Sequence, residues 1–76
     1  MKRYTALITT TNFGFRLPRS YFTEEGAIKN SHRLVKCMKK KDRQMQNEKI
    51  TCIEVYEIPH KGASLADGKM VSFICF

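Results

Sequence analysis

TEEGAIKNSHRLVKCMKKK, from Thr23 to Lys41, is the stretch whose apolar spacing runs long enough to decide the fold. At about 100° per residue, Ala27, Ile28, Ser31, Leu34, Val35 and Met38 gather on one side, while Lys29, Arg33, Lys36 and Lys40 form a stripe nearly opposite. The pattern predicts a helix with a core face and a basic rail. Its ends agree. Thr23 is a suitable N-cap, Glu24 and Glu25 lie in the first turn where the helix dipole favours negative charge, and Lys39, Lys40 and Lys41 lie in the last, where it favours positive charge. Gly26 stands at N3 in place of the Glu or Gln of a capping box and costs about 1 kcal/mol of propensity relative to Ala. The helix must therefore draw stability from tertiary packing.

Before the helix, Tyr4 to Thr10 alternates Tyr4, Ala6 and Ile8 against Thr5, Leu7 and Thr9, which predicts a strand. Thr11-Asn12 supplies a turn, and Phe13 to Leu17 a short returning strand stopped by Pro18. Tyr21 or Phe22 then sits where a hydrophobic staple packs over Ala27 or Ile28. After the helix, Lys41 to Lys49 is polar except for Met45 and reads as a solvated loop. Ile50 to Ile58 is a strand with Ile50, Cys52, Tyr56 and Ile58 on one side and Thr51, Ile53 and Val55 on the other, ended by Pro59. His60 to Lys69 is a long hairpin loop with an Asp67-Gly68 turn. Met70 to Phe76 is a last strand, apolar on both faces. Such a strand is central in its sheet or is an edge covered by another chain, and pairing with a second copy into a homodimer is one way to cover it.

The order β, β, α, β, β predicts an α+β fold: an antiparallel sheet of three or four strands with a single helix packed on one face. That face receives Ile28, Ser31, Val35 and Met38, and the other stays partly open. Residues 1–76 read as one domain. A chain of this size buries only about 60% of its unfolded surface, and such a core supplies about 3–5 kcal/mol.

The net charge is +7 and the isoelectric point about 9.6. Between Lys29 and Lys49 eight basic residues face only Asp42 and Glu48, and Lys2, Arg3, Arg16 and Arg19 add a second basic group near the N-terminus. This balance argues for an anionic partner: nucleic acid, an acidic protein or an anionic surface. The apolar run Ala6-Leu7-Ile8 is too short for a signal peptide, and no run approaches a membrane span, so a cytoplasmic protein with no membrane partner is expected. Cys37, Cys52 and Cys75 lie 15 and 23 residues apart and are read as reduced, half-buried thiols. Cys37, Cys52, His60 and Cys75 contain no close ligand pair, so no metal is expected, and no phosphate-binding glycine loop points to a cofactor.

The rail is the most informative feature. Lys29, Arg33, Lys36 and Lys40 span about 16 Å of helix, with no acid interleaved among them, a spacing suited to a phosphate backbone or an acidic groove. Lys39, Arg16 and Arg19 are candidate supports. Phe13-Gly14-Phe15 shares the Gly-aromatic core of RNA-recognition motifs, but it falls on the wrong strand and lacks the Val-x-aromatic residues that follow, so it reads as a hairpin with a glycine bend. His32 and His60 are the only histidines, and a small ribonuclease using one as acid and base is the enzymatic alternative; neither has a carboxylate orienter visible in the sequence. Charge without a catalytic constellation points to a non-catalytic binding protein, with a sequence-independent DNA- or RNA-binding module as the alternative.

The layout, with a strand over Tyr4 to Thr10, a helix over Thr23 to Lys41 and two closing strands, is similar to that of small phage-encoded inhibitors of bacterial defence, the anti-CRISPR proteins in particular. The resemblance implies an inhibitor with no active site; together with the rail it leads to the expectation of a protein that works by occupancy, docking on a host nucleic-acid-handling complex through the basic helix face. No residue role carries over from that family. The charge of +7 departs from its acidic nucleic-acid mimics and implies docking on acidic protein or on the guide or target nucleic-acid path.

Overall fold

The computed structural model describes residues 2–76. The chain runs through β1 (Arg3–Thr10), β2 (Gly14–Arg16), α1 (Glu24–Lys41), a 3₁₀ turn (Arg43–Met45), β3 (Ile50–Ile58), a second 3₁₀ turn (Leu65–Asp67) and β4 (Lys69–Cys75). The four strands form one antiparallel sheet in the order β2-β1-β3-β4, with α1 across one face, which is the expected α+β architecture.

Register divides the side chains between the faces, because residues opposite one another in a sheet share a face and neighbours along a strand alternate. Ala6, Ile8, Ile53 and Val55 lie on the helix side, fully buried against Ala27 and Val35. Leu17 joins them from beyond β2, its N–H donating to Ala6 O at 2.9 Å. Ser31 is buried in the same layer, and its hydroxyl donates to Ala27 O at 2.8 Å, so the polar group is satisfied within the helix. Ile28 and Met38, expected in the core stripe, are only half-buried.

The helix begins as predicted. Thr23 has extended backbone, and its Oγ1 accepts from Gly26 N at 3.0 Å. A side chain on Gly26 would bring a Cβ to 3.1 Å from Thr23 Oγ1 and 3.5 Å from Tyr21 Cβ, so the residue that weakens helix propensity also leaves room for the cap and for Tyr21. Tyr21 is held against β1 by reciprocal backbone bonds with Tyr4, both 2.7 Å.

The structure sharpens three expectations. First, the connection after α1 is exposed over most of its length, as expected, but not throughout: Met45 and Glu48 are buried, and Glu48 takes hydrogen bonds from Thr10 and Asn12 at the β1–β2 turn. A carboxylate reads as solvent-seeking in a sequence, but donors brought by a distant turn make its burial tolerable. Second, the long β3–β4 loop is present as expected, and its Asp67-Gly68 turn takes 3₁₀ form, Gly68 N–H donating to Leu65 O at 3.0 Å, with the loop folded back so that Ala63 and Ile58 are buried. Third, of the two places expected for β4, the centre of the sheet or an edge, the first does not hold. β4 is the sheet's edge, with Phe73 56% exposed and Phe76, just beyond it, 64%. The register shift between Val55 and Tyr56 sets Val71 and Ser72 together against β3, Val71 packing on the core and Ser72 donating to Glu24 Oε2 at 3.2 Å. This bulge is one way an edge strand is blunted.

Candidate cationic interface

Burial of Ala27, Ser31 and Val35 against the sheet rotates the opposite side of α1 outward, and Lys29, Arg33, Lys36 and Lys40 are all exposed there. Among the described residues, the ion pair within 4.0 Å is Lys2 Nζ to Glu57 Oε1, at 3.5 Å, on the sheet. The rail cations therefore face solvent with no carboxylate in salt-bridge contact. Water screens them, and an anionic partner gains their Coulomb attraction less the cost of desolvating both charges.

Flanking residues extend the rail unequally. Lys39 is half-buried and lines, with Lys36 and Lys49, a shallow concavity of about 360 Å³ whose apolar lining is Val35, Ile50 and Phe76. His32 is on the same wall, edge-on to Phe76 with ring centroids 5.3 Å apart. On the opposite flank Arg19 and Arg33 line one groove across Pro18 and Leu34. Arg19 also lines a pocket of about 470 Å³ with Arg16 and Lys61.

Arg16 does not share the rail's surface. It pairs with Leu7, and therefore lies on the helix-free side, where its guanidinium donates to Ala63 O at 3.0 Å and holds the β3–β4 loop. The structure thus joins Lys36 with Lys39, and Arg33 with Arg19, and sets Arg16 around the edge of the sheet. Sequence reasoning missed Lys49 and Lys61. Lys49 is placed by the start of β3, and Lys61 by the turn at Gly62, whose φ of 95° suits glycine. It also counted Arg3 among the available cations, whereas Arg3 is committed internally: Nε donates to Ser20 Oγ at 3.0 Å, an NH2 group to Ser20 O at 2.7 Å, and the guanidinium lies 4.1 Å from the Phe22 ring centroid.

Among the described residues no three His, Cys, Asp or Glu side chains gather into a metal-binding group. His60 sits on the β3–β4 loop with Nδ1 3.2 Å from Lys61 O. Phe13 and Phe15 stack along β2, centroids 6.1 Å apart, beside a turn closed by Thr10 N–H to Phe13 O at 2.8 Å. No helix among the described residues is long and apolar enough to cross a membrane. Comparisons with protein-family models, with curated proteins and with solved structures find no match.

Proposed function

We infer that this is a non-catalytic cytoplasmic binding protein that docks through the outer face of α1 on the anionic surface of a nucleic-acid-handling complex and acts by occupying it, in the manner of a phage inhibitor of host defence. The observation that carries this reading is the exposed row Lys29, Arg33, Lys36 and Lys40, free of ion pairs among the described residues and continued by Lys39 and Lys49 on one flank and Arg19 on the other. An unbroken run of one sign destabilises the helix through repulsion between neighbours three and four apart, a cost that an anionic partner relieves. His32 and His60 occupy separate settings, one against an aromatic ring and one on a loop carbonyl, which favours binding over acid–base chemistry.

The test is binding of purified protein to a labelled random duplex of about twenty base pairs, and to acidic host proteins, between about 50 and 200 mM salt. Direct engagement of duplex by the four rail cations gives a slope of log K against log salt of about −3 to −4. A shallow slope with retained binding to a protein assigns the rail to an acidic protein surface. Joint replacement of Lys29, Arg33 and Lys36 by Glu abolishes either complex and leaves the circular dichroism spectrum unchanged. Undiminished binding by that variant overturns the reading.

A further inference from the structure

Cys52 and Cys75, 23 residues apart in sequence and unremarkable there, are direct neighbours in the sheet: they are opposed in the β3–β4 register and their sulfurs lie 3.9 Å apart. The backbone around them fixes what kind of pair this is. Phe76 N–H donates to Thr51 O at 2.9 Å, so the ladder bond lies just outside the two cysteines, which makes them a non-hydrogen-bonded pair. Pairs of this kind hold their Cα atoms about 4.5 Å apart, inside the span of about 4.4–6.8 Å that a disulfide bridges. Both side chains project from the helix-free face, Cys75 exposed and Cys52 half-buried, and the rest of their row across the sheet is Thr9 and Gly14, neither of which shields them.

We propose that Cys52 and Cys75 form a redox-active dithiol that oxidised glutathione, or a small disulfide of the same class, converts to an intrachain disulfide. In the first step a thiolate of the pair attacks one sulfur of the oxidised glutathione; that S–S bond breaks, one glutathione thiolate leaves and a mixed disulfide forms. In the second, the neighbouring cysteine gives its proton to water and attacks the protein-side sulfur of the mixed disulfide, expelling the second glutathione thiolate. Two electrons pass from the protein thiols to glutathione, and the two protons released end on the departing thiolates. The product clamps the end of edge strand β4 to β3 without touching α1. Contact with Cys52, followed by burial, pushes the Cys75 thiol above its ordinary value of 9.0, so this thiol rests protonated near neutrality and exchange through it is slow. Cys37 is exposed on α1 and has no part in the pair.

The test uses the Cys37→Ser protein, whose substitution is at an exposed position, incubated for hours with an excess of oxidised glutathione and then treated with maleimide. The expected product has lost two hydrogen atoms, takes up no maleimide, and returns to two reactive thiols on reduction. Adding Cys52→Ser or Cys75→Ser to that protein leaves a single cysteine, which is expected to carry one glutathione. Wild-type protein gives an independent reading by proteolytic mapping, with Cys52 and Cys75 in one linked peptide and Cys37 outside it. Two maleimide-reactive thiols after incubation, two attached glutathiones, a disulfide-linked dimer, or a linkage to Cys37 would each overturn the proposal.

Discussion

Thr10 donates its hydroxyl hydrogen to Glu48 Oε1 at 2.8 Å, tying the end of β1 to a residue 38 positions later. Asn12 completes the grip, its backbone N–H donating to the same oxygen and its side-chain amide to Oε2, both at 2.7 Å. These donors, the Asn12 N–H foremost, hold the Glu48 carboxyl below its ordinary value of 4.5, aided by the charge of Lys39 and opposed by burial. The unfolded chain therefore takes up this proton first on acidification, and the contribution of Glu48 to stability is full above about pH 4.5 and lost as the pH falls below it. Urea unfolding of wild type and Glu48→Gln from neutral pH to about pH 3 should show a higher midpoint for wild type at neutrality and a gap that closes in acid.

Arg3 separates a structural cation from the candidate interface. Arg3→Lys keeps the charge but loses the forked contact with Ser20 and the stacking on Phe22, and should lower stability by about 1 kcal/mol. Binding to duplex or acidic protein, measured below the melting temperature, should be unchanged.

Arg33→Glu should do the reverse. Residue 33 lies four positions after Lys29 and three before Lys36, so the new carboxylate forms favourable helix-surface pairs of about 0.2–0.5 kcal/mol each while dividing the rail. The expected result is an equal or slightly raised melting temperature with weakened anion binding, read by calorimetry and anisotropy on the same sample.

Two glycines in similar-looking turns should respond differently to alanine. A Cβ at Gly68 comes to 2.9 Å from Glu57 O and 3.0 Å from Ile58 Cγ2, and since the first is backbone, Gly68→Ala should cost about 1–3 kcal/mol. At Gly26 the neighbours are side-chain atoms of Thr23 and Tyr21, and the gain in helix propensity of about 1 kcal/mol is offset by crowding of the cap, so Gly26→Ala should lie within about 0.5 kcal/mol of wild type. Thermal melts of the two variants side by side check the contrast.

Ile53 is fully buried between β1, β4 and the helix. Truncation to Ala removes about 2–5 kcal/mol, comparable with the whole stability of a domain this small. Ile53→Ala should be largely unfolded at 37 °C by near-ultraviolet circular dichroism, whereas Ile53→Val should retain the fold.

The elements were legible because each carries its own period. α1 starts one residue after the predicted cap and ends at Lys41, and β3 occupies Ile50–Ile58 as its β-branched residues and Pro59 indicate. What local pattern does not encode is which strand sits beside which. The apolar run of β4 left a central place and an edge place both open, and the structure sets it at the edge, with Phe73 and Met70 on the open face. The burial of Glu48, the opposition of Cys52 to Cys75 and the internal use of Arg3 all depend on contacts between distant segments. For the interface, the helical period placed Lys29, Arg33, Lys36 and Lys40 together, but it carries no information on where β2 sets Arg16.

The strand order β2-β1-β3-β4 also sets a timetable. β1 pairs along one edge with β2, which follows at once, but along its other edge it waits for β3, Arg3 meeting Ile58 and Thr9 meeting Cys52. At a translation rate of roughly 5–20 residues per second, that interval lasts on the order of 2–10 seconds. Through it, the nascent chain can pair β1 with β2 and pack α1 over Ala6 and Ile8, but the hydrogen-bonding edge of β1 that meets β3 stays open. The centre of the finished sheet is thus among the last parts to close, and slower synthesis at reduced temperature lengthens its exposure.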